Sequence, residues 1–132
     1  GIRDSVASRG LGDVYKRQLL ALKTILAAVD GSSTLLFDEI DAGVSGRVSG
    51  AMADLLHSLA RQRQVFCVTH QPLVAAVAAH HFQVSKTVIN GSTHSRVSYL
   101  RDTQARRQEL AELAGGEQAD AYAASLLDQR SA

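Results

Sequence analysis

The residues best suited to chemistry stand at the ends of two short apolar runs. Leu35-Leu36-Phe37-Asp38-Glu39 has the form of a Walker B element. In that form, an apolar strand delivers one carboxylate to a magnesium ion and the next to an attacking water. Asp38 would hold Mg2+, largely through water, because that ion takes few carboxylates and keeps much of its hydration. Glu39 would polarise the water, a task that depends on placement. The same five residues also describe a strand ending in a solvated acidic turn, and on their own they are a weak motif. A second apolar run, Val65-Phe66-Cys67-Val68-Thr69, ends at His70 just before Pro72. An isolated histidine there has a buried structural role as its competing reading.

The elements that must position these groups follow from hydrophobic spacing. Thr34–Phe37 is too short for a helix and is flanked by turn residues, so it reads as a buried strand. Ser45 is a candidate cap for a helix running to about Arg61, with Val48, Ala51, Met52, Leu55 and Leu59 on one face. Gln64 starts the second strand, in which Cys67 reads as a small buried hydrophobe. Two strands without polar alternation, joined by an amphipathic helix, imply parallel strands covered on both faces by helices. A right-handed crossover brings their C-terminal ends together, so Asp38, Glu39 and His70 fall on one rim, where open α/β sheets bind ligands. Leu19–Val29 has helical spacing and leads into the first strand. His81–Ile89 and Thr93–Leu100 alternate around Asn90-Gly91, a hairpin signal that predicts an antiparallel extension of the sheet. Two helices, over 103–114 and 118–127, are joined by Gly115-Gly116, a helix terminator.

Composition narrows the classes. The 132 residues carry 14 Lys and Arg against 13 Asp and Glu, a single Cys, one Pro and no Trp, which fits about one small domain. With 45% hydrophobic residues and no apolar run of the length a bilayer requires, the chain can bury an ordinary core and is not expected at a membrane. One cysteine cannot form an internal disulfide, and the expected compartment is the cytoplasm. Residues 1–18 hold four basic and two acidic side chains, which leaves 10 basic against 11 acidic in the remainder. This first stretch has no helical or strand period. Its DVYKRQ, Asp13–Gln18, also matches one reading frame of a common transposon sequencing adapter, so residues 1–18 read as a non-native or disordered segment, a natural flexible tail being the alternative.

The residues after the acidic pair are more specific. Ile40-Asp41-Ala42-Gly43-Val44-Ser45-Gly46 follow it, and one helix later comes Val68-Thr69-His70-Gln71-Pro72. This combination resembles the C-terminal part of RecN, the bacterial SMC-like DNA repair ATPase, whose pattern runs FDEIDAG, then SG, then VTH and a proline. The resemblance covers Leu19 to about Leu127. It implies an α/β fold of the P-loop NTPase class, the C-terminal lobe of an ABC ATPase head, over residues 19–132. It further implies ATP and Mg2+ as ligands, a D-loop at the dimer interface beginning at Asp41, and His70 as the switch histidine on the terminal phosphate. Asp38, Asp41, Gly43 and His70 would then face the nucleotide, with Glu39 and His70 catalytic. The implied function is ATP-dependent recombinational repair of DNA double-strand breaks, in the bacterial cytoplasm and associated with the nucleoid. The implied partners are an N-terminal lobe of the same protein, a second head in a head-to-head homodimer, and DNA through the full-length protein.

Other features of the sequence qualify that expectation. No G-x-x-x-x-G-K-[ST] loop occurs in the chain, and where the family has Ser-Gly-Gly-Glu before the helix at Leu19, this chain has DVYKRQ. Gly115-Gly116-Glu117 imitates that signature but follows both strands. The chain alone is therefore expected to be inactive. His80, His81 and His94 have poor spacing for a metal, and Arg61, Arg63, Arg106 and Arg107 are scattered as solvated charges are. Two alternatives stand: a fragment of another SMC, RecF or AAA+ type ATPase, with His70 arguing against AAA+, or a non-catalytic α/β interaction domain.

Overall fold

The computed structural model describes residues 31–131 apart from 42, 43 and 45. The expected helix over 19–29, the segment 1–18, Gly43 and the proposed cap Ser45 lie outside the described residues. The elements run β1 (Thr34–Asp38), α1 (Gly46–Ala60), β2 (Gln64–Val68), α2 (Pro72–Ala76), β3 (Phe82–Ile89), β4 (Ser92–Tyr99), α3 (Thr103–Ala114) and α4 (Ala119–Ser131).

β1 and β2 pair in parallel, in register from Thr34 opposite Gln64 to Asp38 opposite Val68. A parallel pair needs a long crossover, which α1 supplies. The sheet face beneath α1 is apolar: Leu35 and Phe37 are buried with Met52, Ala53, Leu56 and Val74. Each such large side chain contributes about 1.5–3 kcal/mol on leaving water. On the opposite face Leu36, Phe66 and Val68 are 73%, 48% and 54% exposed among the described residues, so α1 covers one side only. The buried stripe of α1 is Ser49, Met52, Ala53 and Leu56, with Leu55 and Leu59 at its margin. It is rotated from the stripe of large apolar residues expected from spacing. Ser49 and Ala53 are small and fully buried, and a count of bulky side chains does not register them.

β3 and β4 form a hairpin through Asn90 and Gly91, both at positive φ (50° and 79°), the conformation that an Asn-Gly pair adopts at low cost. The hairpin does not extend the first sheet, contrary to expectation; it is a separate two-stranded sheet. Its side chains are mostly exposed, so no buried face recruits it to β1 and β2.

α3 begins at Asp102, whose carboxylate accepts the Ala105 amide at 2.7 Å, and stops at Gly115 and Gly116, both at positive φ. Leu110, Ala123 and Leu126 bury against Ala75 and Ala76. The short helix α2 thus joins both cores, giving Val74 to the first and Ala75 and Ala76 to the second. Arg106, expected on a solvated face, instead donates to the Ala78 carbonyl at 2.8 Å and fastens α3 to the end of α2. Arg107 pairs with Asp120 across α3 and α4.

Candidate functional site

β1 and β2 end side by side, and the pairing continues one step past β1: the Glu39 amide donates to the Val68 carbonyl at 3.0 Å. Asp38 and Glu39 therefore leave the sheet where Thr69 and His70 leave it, as the parallel reading requires. Asp38, Glu39 and His70 are exposed. Glu39 has φ of 47°, in the left-handed region that non-glycine residues rarely occupy. Such a conformation costs of order 1 kcal/mol or more and recurs where a side chain must be aimed.

Asp41 behaves differently from its neighbours. It is completely buried, and the Thr69 hydroxyl donates to its Oδ2, while Oδ1 has no hydrogen-bond partner. The backbone carbonyl of Asp41 accepts the Val44 amide at 3.2 Å. Thr69 Oγ1 also accepts the Gln71 amide at 2.9 Å, and the Gln71 carbonyl accepts the Val74 and Ala75 amides at 3.1 and 3.0 Å, which opens α2. Pro72 at the start of α2 has no amide to satisfy and suits that position. His70 borders an open cavity of about 480 Å³ with Gln71, Pro72, Gly115, Gln118 and Tyr122.

The electrostatics of the rim register on Cys67, half-buried on β2 beside Phe37 of β1. Burial first, and then the Asp41 and Asp38 carboxylates, together push its thiol up to about 11. An anion beside two carboxylates in a partly dry setting is disfavoured on both counts.

The structure thus gathers Asp38, Glu39, Asp41 and His70 on one rim, with Asp41 turned inward, and Gly43 lies outside the described residues. Sequence reasoning missed Thr69. The only signal was a hydroxyl beside the histidine, and its partner, 28 residues away, becomes visible only through the strand register. Among the described residues no group of three or more His, Cys, Asp or Glu is arranged to hold a metal ion. His80 Nδ1 lies 2.8 Å from the Tyr99 hydroxyl, and His81 is buried with its ionisation pushed down by burial and by Arg106.

No protein-family model matches this sequence. A solved structure from work on the structural biochemistry of ATP-driven dimerization and DNA-stimulated activation of SMC ATPases superposes on 77% of this chain and 62% of its own, with a TM-score of 0.60 and 22% identity. Over the superposed part, the α/β fold is therefore that of a solved SMC ATPase structure. The sequence is 43% identical to the DNA repair protein RecN of Synechocystis over 145 residues, 96% of this chain and 25% of the relative. It is 38% identical to RecN of Xylella fastidiosa over 122 residues and 36% identical to RecN of Bacillus subtilis over 109, covering 89% and 83% of this chain. The chain belongs to the RecN family, and it spans about a quarter or less of the length of these curated relatives.

Proposed function

We propose that this chain is the C-terminal lobe of a RecN-type ATPase head and supplies the hydrolytic half of an ATP site used in the repair of DNA double-strand breaks. The observation that carries the reading is the bond from the Glu39 amide to the Val68 carbonyl, which aligns the loop after β1 with the turn after β2. Family membership supports the assignment, since the relatives are named DNA repair proteins.

In this reading the Glu39 carboxylate orients a water toward the terminal phosphate and accepts its proton, and the His70 imidazole donates a hydrogen bond to an oxygen of that phosphate. Asp38, exposed at the end of β1, is a hard oxygen donor of the kind Mg2+ takes, and it would hold the ion through water. An ion held there would supply positive charge to offset that of the phosphates. Asp41 and Gly43 belong to the loop that would meet a second head. A phosphate-cradling loop is missing from this sequence and would come from an N-terminal lobe of the same protein, with DNA engaged by the full-length molecule.

The test joins this segment to a RecN-like N-terminal lobe that has an intact Walker A loop and signature. The joined protein should hydrolyse ATP, and Glu39→Gln should abolish turnover while ATP binding persists. Turnover that survives Glu39→Gln rejects Glu39 as the base.

A further inference from the structure

We infer that Thr69 is a positioning residue for His70, its hydroxyl tying the buried Asp41 of the loop after β1 to the turn that carries the imidazole. The purpose of such a tie rests on the ATPase reading above; its geometry does not.

A threonine hydroxyl has one proton and two lone pairs. Here the proton goes to Asp41 Oδ2, and a lone pair takes the Gln71 amide at 2.9 Å. One oxygen is thus bonded toward both loops. His70 is the single residue between Thr69 and Gln71, so its backbone is held from both sides although its ring is exposed. Downstream, the Gln71 carbonyl accepts the first amides of α2, and Val74 of that helix lies in the core. Upstream, Glu39 is bonded to Val68, and Ile40 packs against the same core. The acidic loop and the histidine turn therefore share two links, one through the backbone and one through this hydroxyl.

The hydroxyl link has few substitutes. Asp41 is fully buried and its other oxygen has no partner, so Thr69 is its one side-chain donor among the described residues. A buried carboxylate that loses its donor must recruit another or move, because an unpaired charge in a dry site is costly. A displacement of Asp41 is consequently felt at the His70 turn through this hydroxyl.

The experiment is NMR on the intact chain, reading the His70 imidazole 15N resonances and amide exchange at Gln71, with protection at Leu110 in the second core as the control for folding. Thr69→Val should shift the His70 ring resonances and speed exchange at Gln71 at least tenfold while Leu110 stays protected. Thr69→Ser, which restores the hydroxyl, should lie within twofold of the parent. On the unaltered chain the Thr69 hydroxyl proton should exchange slowly enough to be observed. Unmoved His70 resonances in Thr69→Val, or a serine variant as perturbed as the valine one, overturn the inference. If Thr69→Val unfolds, the hydroxyl proton decides: slow exchange supports the tie, and exchange as fast as that of an exposed serine overturns it. None of these readouts involves nucleotide. Failure here therefore leaves the ATPase reading standing, and a failure of Glu39→Gln to abolish turnover leaves the tie standing.

Discussion

Cys67 offers a chemical probe of the rim. Its thiol is pushed from an ordinary value of 9.0 up to about 11, by burial first, then by Asp41 and Asp38. At pH 8 that shift leaves roughly one-hundredth as much thiolate as an unperturbed cysteine would have. A more basic thiolate is intrinsically more nucleophilic, with a Brønsted slope of about 0.4–0.5, which restores roughly tenfold. Alkylation by iodoacetamide should therefore run about tenfold slower than for a free cysteine, and slower again where the half-buried position limits access. Asp41→Asn removes the larger of the two charge contributions and should raise the rate roughly two- to threefold; Asp38→Asn should raise it less. Labelling followed by mass spectrometry measures both, and urea-unfolded chain supplies the unperturbed rate. The sign of the linkage is also set. The fold favours the neutral thiol, so this contribution to stability is complete below pH 9 and is lost as pH rises toward 11. A native rate equal to the unfolded rate, or one unmoved by either Asn substitution, would refute the placement of the acidic loop over the end of β2.

Further outcomes follow from the packing. Leu110→Ala, at a fully buried position of the second core, should cost about 2–5 kcal/mol in urea unfolding, and a loss under 1 kcal/mol would contradict its burial. His81 is buried beside Arg106 with its ionisation pushed down, so folding disfavours its protonation. Its contribution to stability is whole above about pH 6.5 and falls as pH drops below that value, and His81→Phe should flatten the urea midpoint between pH 7.5 and 5. Arg106→Met should weaken the attachment of α3 to α2 and raise amide exchange at the end of α2, whereas unchanged exchange would argue against that bond.

Much of the secondary structure was legible because its signals are local. Thr34–Phe37 and Gln64–Val68 are short apolar runs between turn residues, Asn90-Gly91 is a hairpin turn of known preference, and Gly115-Gly116 ends a helix. The parallel pairing followed from the absence of alternation and from the intervening helix, and with it the shared rim of Asp38, Glu39 and His70. What escaped depends on partners distant in sequence. The buried stripe of α1 includes Ser49 and Ala53, whose small size matters only once a sheet lies opposite. The hairpin's independence reflects the lack of a buried face that would recruit it, and alternation alone does not report that. Arg106 finds its carbonyl partner 28 residues away, and Thr69 finds Asp41 across the same separation. Neither hydrogen bond leaves a periodic trace.

The most direct measurement of the central claim is a structure of the joined two-lobe protein with Mg2+ and a non-hydrolysable ATP analogue. The His70 imidazole should lie within about 3 Å of an oxygen of the terminal phosphate, and the Glu39 carboxylate should reach a water on its far side. If those two side chains instead point to opposite faces of the sheet, with neither near the phosphate, the rim is not the hydrolytic site.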